Sequence, residues 1–340
     1  MAQATTVTIG IPTYNGSAYI REALDSVISQ ITDDLKHRVD ILVSDNASTD
    51  GIGDIIKMYQ ASYPVKIEYS RNNTNIGYDR NVDMLFKKAS GKYVWLLGDD
   101  DVWKEGALLY VIKLLDTYPS IKAIQINFDH YDRKLERVVH HTEISEDFLC
   151  HNAETFLRKG KGKYGNLSSL VLNRSAWNME DLSFGFGLNF IHVYGLMKIL
   201  LRGDSYIVHE PLVKVRLGST NVGTDGDSLL QIALDAGTIV HSMKMMGYDP
   251  RIIRWLIQDT RRYTFYAIPN AKLVGLNNKS AAARRLIAIH NSPALWLKWL
   301  PVIFCPDSIF KYLYPIKKGI SSKTRIIERV LKRHLRKFVT

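Results

Sequence analysis

Apolar and polar positions follow two alternating rhythms over the first 130 residues. "VTIGIP" (7–12) and "VDILVSD" (39–45) are short β-rich runs, each closed by a polar turn. Between them Ile20, Ala23, Leu24, Val27, Ile28 and Ile31 recur every three or four residues, which predicts a helix with Ser17 as its N-cap. A second helix is predicted from Ile52, Ile55, Ile56 and Tyr59, then a strand at "VKIEYS" (65–70). A turn-rich loop, "NNTNIGYDRN" (72–81), precedes a helical stripe of Val82, Leu85, Phe86 and Ala89. The strand "YVWLL" (93–97), a helix with Leu108, Val111, Ile112 and Leu115, and the strand "KAIQINF" (122–128) complete the series. Strands separated by helices of this length build parallel βαβ units of a doubly wound sheet. Ligands bind beyond the carboxyl ends of such strands. The polar clusters at residues 12–15, 45–50, 75–81 and 99–101 are therefore expected to converge on one crevice.

Past residue 127 the rhythm loosens. "GKGKYGN" (160–166) is a basic glycine-rich segment, either a solvated loop or a lid, and "SSLVLNRSAW" (168–177) reads as a further strand and turn. "FGFGLNFIHVYGLMKILL" (184–201) joins a glycine loop to a helix, and after Leu230 the pattern is helical, with Trp255, Trp296 and Trp299. The expected division is an α/β domain at 1–225 and a helical region at 226–340. With 46% hydrophobic residues in 340, a buried core follows and global disorder is excluded.

The net charge of +11 is uneven. From Lys311 the chain carries Lys317, Lys318, Lys323, Arg325, Arg329, Lys332, Arg333, Arg336 and Lys337 against Glu328 alone. Ile326, Ile327, Val330, Leu331 and Leu335 give this tail one apolar side, so it is expected to lie on an anionic membrane surface. No RNA-binding motif accompanies the charge, and no nucleic-acid partner is expected. The run "SPALWLKWLPVIFCP" is interrupted by Lys298 and Pro301 and is too short to span a bilayer. No signal peptide is read at the start, and Cys150 and Cys305 sit in no metal-ligand spacing. The expectation is a cytoplasmic protein with reduced thiols, peripheral on the inner face of the cell membrane, its oligomeric state left open.

No GxGxxG follows the first strand, and no GxxxxGK(S/T) occurs anywhere. A phosphate ligand then needs another source of positive charge. Asp99, Asp100 and Asp101 leave the end of "YVWLL" together, and adjacent carboxylates repel one another. A hard divalent cation, Mn²⁺ or Mg²⁺, satisfies such a cluster, bridges a diphosphate and acts as a Lewis acid toward a departing phosphate.

The segments "VTIGIPTYNGSAYIREALDSVISQ", "VDILVSDNASTDG" and "NIGYDRNVDMLFKKASGKYVWLLGDDD" occur in this order. Together they closely resemble the family 2 glycosyltransferases of the GT-A fold, strongly over the first 110 residues and more loosely over 160–220. The resemblance implies an α/β, Rossmann-like, mostly parallel sheet flanked by helices, with the helical basic region appended. It implies a metal-dependent hexosyl- or deoxyhexosyltransferase that moves a sugar, with inversion, from a nucleotide-diphosphate sugar to an acceptor hydroxyl.

By the same resemblance Pro12, Thr13, Tyr14 and Asn15 form the first nucleotide-binding loop. Asp45 receives the base, Asn46 stands where the family often has a second Asp, and Ser48 and Asp50 complete that motif. Asn75, Gly77, Arg80 and Asn81 match the segment near the nucleotide and donor sugar. Asp99, Asp100 and Asp101 match the family's aspartates that bind metal and diphosphate, with Gly98 replacing the first Asp of DxDD; which of the three ligates directly stays open. The family's base is an Asp of an "ED" pair at the start of a late helix, but the matching "NFIHVYGLMKIL" begins without an acid. His192 and the earlier Glu180 and Asp181 are the rival candidates. Arg216, in "VKVRLGST", matches an Arg near the diphosphate, without the His that many relatives carry after it.

With the basic tail, family habit implies a lipid-linked glycan acceptor in surface polysaccharide assembly. Two other readings compete. A sugar nucleotidyltransferase would share the crevice and metal, but needs a basic glycine-rich loop that "PTYNGS" lacks. A non-catalytic membrane- or partner-binding protein is disfavoured by the retained aspartates, Asp45 and Arg80.

Overall fold

The computed structural model describes residues 6–218 and 225–311, which belong to two compact units. The described part of the first comprises 6–218 with Ser242–Ile252; that of the second comprises 225–241 and 253–311. The predicted amphipathic tail, with Ile326, Ile327, Val330, Leu331 and Leu335, lies outside the described residues.

The first unit begins β1 (Val7–Thr13), α1 (Ile20–Ile28), β2 (Val39–Asp45), α2 (Ile52–Ser62), β3 (Ile67–Arg71), α3 (Tyr78–Lys88) and β4 (Tyr93–Leu96). These strands pair in parallel in the order β3-β2-β1-β4. Val7 lies opposite both Val39 and Tyr93, so β1, β2 and β4 run in register. All their residues are buried. Ile9, Ile11, Ile41 and Val43 pack on one face with the apolar stripes of α1 and α2. On the other face Gly10 lets α3 approach: a Cβ there would meet Val94 at 3.0 Å and Leu85 at 3.5 Å. Cover on both faces is why these strands read as continuous apolar runs. The chain order turns at β1, with β2 and β3 on one side and β4 on the other, and such a switch point opens a crevice at the strand ends.

Next come β5 (Val102–Trp103), α4 (Ala107–Thr117), β6 (Ala123–Tyr131), β7 (Val138–His141), β8 (Phe148–Cys150), α5 (Ala153–Lys159), β9 (Leu170–Asn173), α6 (Arg174–Asn178), α7 (Ile191–Ile199) and β10 (Ser205–Arg216). This half of the sheet is mixed. β9 runs antiparallel to β4 and β6, while β10 is parallel to β6 and antiparallel to β5. Trp177 stacks on Phe86 of α3 with centroids 3.9 Å apart and fills the space where a side chain at Gly195 of α7 would go. The last turn of α3 and the middle of α7 thereby pack against the same indole.

Two local expectations fail for tertiary reasons. Ser17 is not the cap of α1, which starts at Ile20 with Tyr19 at the N-cap; the Ser17 N–H is drawn instead to the Asp50 carboxylate. The loop predicted over 72–81 ends early, since Tyr78, Asp79, Arg80 and Asn81 already form the first turn of α3.

In the second unit the helices are α8 (Gly226–Ser242), α9 (Pro250–Val274), α10 (Lys279–His290) and α11 (Leu300–Phe304), the ends of α8 and α9 reaching the first unit's residues. Leu230, Leu234, Ile268, Leu286, Leu295 and Ile303 build its core. Its buried charges are paired: Asp235 with Arg285 at 2.8 Å, and the fully buried Lys272 with Asp307. Lys272 and Lys279 hold the Asp307 carboxyl down to about 2. No helix among the described residues is long and apolar enough to cross a membrane.

Candidate active site

Thr13 ends β1, and its hydroxyl donates to Asp99 Oδ2 at 2.5 Å. Pro12 is buried in the strand, and Tyr14 beyond it is exposed. Asn15 turns the loop at φ 54°, a left-handed conformation that its short polar side chain tolerates. The Asn15 N–H donates to Ser48 Oγ, and Asn15 Oδ1 accepts the Thr49 N–H, both at 2.8 Å. The Ser17 N–H donates to Asp50 Oδ2 at 2.7 Å. Gly16 passes so close to the aspartates that a Cβ would fall 2.0 Å from Asp99 Oδ2. Three predicted clusters are thus tied by direct hydrogen bonds.

Asp45 at the end of β2 is fully buried. Its Oδ1 accepts the Ser48 N–H at 2.8 Å, and Oδ2 accepts the Tyr69 hydroxyl at 2.5 Å and faces Arg71 at 3.3 Å. Burial, and then Asp45 itself, push the Tyr69 phenol well above its usual range. Asn46 Oδ1 accepts the Ile76 N–H at 2.9 Å, while its Nδ2 donates to Asn75 Oδ1 at 2.7 Å. An Asp at 46 would set a carboxylate against the Asn75 carbonyl, so the amide suits this loop. Asn75 Oδ1 also accepts the Gly77 N–H at 2.9 Å. Asn81 is buried and bonded to Ser44 through both ends of its amide, which ties α3 to β2. Ala47 sits at φ 67° inside this loop, the kind of backbone strain that clusters at functional sites.

The aspartates differ from one another. Asp101 is buried with both oxygens engaged: Ser168 donates to Oδ2 at 2.5 Å and the Arg216 N–H to Oδ1 at 2.9 Å. Asp99 and Asp100 are half-buried. Asp99 Oδ2 takes the Thr13 hydroxyl. Burial, reinforced by the Asp100 charge, pushes Asp99 up to about 7 and Asp101 up to about 8. A cation would relieve both. Among the described residues no three His, Cys, Asp or Glu side chains gather around one point as a complete cage. Mg²⁺ and ions like it use one or two carboxylates and take their remaining oxygens from water and substrate phosphates. Asp99 and Asp100 fit that requirement.

Arg216 is buried at the end of β10, and each nitrogen of its guanidinium has a partner. Nε donates to the Asp100 carbonyl at 2.8 Å, Nη1 to the Arg133 carbonyl at 2.6 Å, and Nη2 pairs with Glu22 at 2.9 Å. These three contacts brace the aspartate loop and use three of the five guanidinium N–H groups.

The candidate bases are separated. His192 is buried, its Nε2 3.1 Å from the Gly165 carbonyl and its Nδ1 3.1 Å from the Tyr78 hydroxyl. A carbonyl only accepts, so Nε2 carries the proton and Nδ1 receives the Tyr78 O–H. Burial lowers His192 to about 4, leaving a neutral ring whose lone pair is in use. Glu180 is clamped by Arg202 at 2.6 Å and Lys198 at 3.4 Å. Asp181 is exposed; its Oδ1 accepts the Ser183 N–H at 2.9 Å, which holds its carboxyl below the usual range.

Arg80 lays its guanidinium 4.6 Å from the centroid of Phe186. Beside this pair lies a cavity of about 290 Å³, lined by residues of the α3 start and by Phe186, Gly187 and Asn189. Ser168, Gly16, Tyr69, Asp79 and Phe186 were missed from sequence. Gly16 alone left a local signal, in "TYNGS"; the partners of the others lie 24 to 112 residues away.

Residues 8–178, half of the chain, match the family described as Glycosyl transferase family 2. The chain is 30% identical over 218 residues to the abequosyltransferase RfbV of Salmonella typhimurium, covering 61% of this chain and 65% of that protein, so it spans just under two thirds of that relative. Among solved structures it resembles S. aureus TarS 1-349 in complex with UDP-GlcNAc, with a TM-score of 0.63 at 14% identity over 84% of this chain and 82% of that one. It also resembles the mannosyltransferase PcManGT of Pyrobaculum calidifontis in complex with GDP-Man and Mn²⁺, with a TM-score of 0.54 at 16% identity over 92% and 88% of the two chains. These likenesses establish the GT-A fold. The chain belongs to glycosyl transferase family 2.

Proposed function

We propose that this glycosyltransferase transfers a sugar, with inversion, from a nucleotide-diphosphate sugar bound at the ends of β1, β2 and β4. One observation carries the reading: the Thr13–Asp99 hydrogen bond of 2.5 Å joins the nucleotide loop to the aspartates, while Asn15 and Ser17 tie that loop to Ser48 and Asp50. Base and ribose lie against Asp45, Asn46, Ser48, Asp50 and Asn75, and the diphosphate lies at Asp99 and Asp100. Mn²⁺ or Mg²⁺ held by these two carboxylates would supply Lewis acidity toward the departing diphosphate. Asp101, Ser168 and Arg216 keep the aspartate loop in place.

The acceptor hydroxyl needs a group to take its proton. With the His192 lone pair occupied and Glu180 clamped by two cations, Asp181 is the base we carry forward. It opens the turn that leads to Phe186 at the cavity.

A lipid-linked glycan is the acceptor class we favour, in assembly of a surface polysaccharide at the inner face of the cell membrane. RfbV, an abequosyltransferase by name, is one support. The other is the end of the described chain, where Trp296, Leu297, Phe304 and Ile309 are 51%, 82%, 53% and 50% exposed just before the basic run. Large apolar side chains beside cationic ones suit the interface of an anionic bilayer. Release of nucleoside diphosphate from a panel of UDP-, GDP-, CDP- and dTDP-hexoses, supplied with polyprenyl-diphosphate glycans, tests the reading. Release that depends on an acceptor and falls at least a hundredfold in Asp181→Asn is expected; acceptor-dependent release unchanged in that variant would remove Asp181 as base.

A further inference from the structure

The turn before α7 is built around a side chain from another element. Asp79, in the first turn of α3, is buried, and its Oδ2 accepts the N–H groups of Gly187 at 2.8 Å and Asn189 at 3.0 Å. Its Oδ1 accepts the Ile191 N–H at 3.0 Å. Gly187 at φ 88° and Asn189 at φ 55° curl this backbone so that successive amides point inward, an anion-binding nest. α7 has no capping side chain of its own, so a carboxylate 112 positions earlier serves its free amides. Phe186, Gly187 and Asn189 line the 290 Å³ cavity together with Gly77, Tyr78 and Arg80.

The lining has the chemistry of a carbohydrate site. Phe186 offers an aromatic ring, and Arg80, whose only described contact is with that ring, offers a fork of donors at an exposed position. Apolar ring faces and polar groups at the margin suit a molecule with C–H faces and hydroxyl edges. The volume admits one such ring.

We propose that Asp79 is a positioning residue that staples the 187–191 turn to α3, so that Phe186 and Arg80 form a binding site for a single pyranose ring. The inference rests on the transferase reading given above and adds to it a site and the residue that builds it. The ring comes from either the donor sugar or the acceptor glycan, and both present the same pyranose chemistry.

Two variants and two readouts test it. Phe186→Ala removes the ring, and Asp79→Asn keeps the size of the staple but turns an amide NH₂ toward backbone N–H groups. Calorimetry compares each nucleotide-hexose with its own nucleoside diphosphate, and saturation-transfer NMR follows a panel of methyl pyranosides. If the ring belongs to the donor, Phe186→Ala lowers the extra affinity of the nucleotide-hexose about fivefold to tenfold. If it belongs to the acceptor, the methyl-pyranoside signal is lost instead. Asp79→Asn is expected to reproduce whichever loss Phe186→Ala gives, with nucleoside-diphosphate affinity within twofold of wild type. No change in either readout for Phe186→Ala overturns the site. Unchanged sugar binding in Asp79→Asn, with only a lower melting temperature, overturns the positioning role. Failure of wild type to bind any nucleoside diphosphate would strike the transferase reading itself and is told apart by that control.

Discussion

Ser168 is the most informative position at which to perturb the aspartate loop. Its side chain is fully buried, accepts the Gly98 N–H at 2.8 Å and donates to Asp101 Oδ2 at 2.5 Å. Ser168→Ala leaves the part-buried Gly98 amide unpaired and removes a hydrogen bond from the buried Asp101 carboxyl. With Asp101 raised to about 8, that bond is made to a neutral group near pH 7, so each loss costs about 1 kcal/mol, together about 2 kcal/mol. For a unit of this size that lowers the melting temperature by roughly 4–8 °C. Ser169 is an internal control: equally buried and adjacent, it donates one bond, to the Asn166 carbonyl at 2.7 Å. Ser169→Ala should cost only about 1 kcal/mol. Thermal melts of both variants, followed by Mn²⁺-dependent titration with nucleoside diphosphates, read the difference. Ser168→Ala should melt lower than Ser169→Ala and bind the metal–nucleotide pair more weakly. Equal melting temperatures and equal binding would refute the assignment of Ser168 as the anchor of Asp101.

Two further outcomes are expected. His192→Gln keeps a donor and an acceptor in the buried position, so kcat should fall less than tenfold in the nucleoside-diphosphate release assay; loss of a general base costs about 10²–10⁴, and a fall of that size would restore His192 to the role. The ligand-free protein should lose stability between pH 6.5 and 8 in melting experiments. Asp99 and Asp101, raised to about 7 and 8, hold protons in the folded state that the unfolded chain has already released, and this contribution is lost as pH rises through those values. His192 and His290, lowered to about 4, act in the opposite window, their contribution vanishing as pH falls below 6.5 toward 4. The slope above pH 6.5 should shrink in Asp99→Asn, and an unchanged slope would contradict the assignment.

The parallel half of the sheet was legible because its signals are local. β2 (Val39–Asp45) coincides with the run "VDILVSD", since strands buried on both faces admit few polar residues. The polar strand ends were legible for the same reason, as abrupt departures from those runs. Features made by contacts between distant segments were not. β5 is only two residues long and exists because Val102 and Trp103 pair with β10. Ser17 is a favoured cap residue type, yet α1 starts at Ile20, and the Ser17 N–H bonds Asp50, 33 positions on. Arg216 matched a ligand-facing pattern, but its bonds to Glu22 and two backbone carbonyls, 83 to 194 positions away, left no local signal. The carboxylate that meets the free amide at the start of α7 stands on α3, as Asp79.

The central claim is that the strand ends hold a nucleoside diphosphate through Asp99 and a divalent cation. Isothermal calorimetry of UDP, GDP, CDP and dTDP, with and without Mn²⁺, on wild type and Asp99→Ala measures it most directly. At least one nucleotide should bind wild type at least tenfold more tightly with Mn²⁺, and that gain should vanish in Asp99→Ala while the melting curve stays cooperative. Binding of no nucleotide in either condition, or a Mn²⁺ gain that survives in Asp99→Ala, would contradict it.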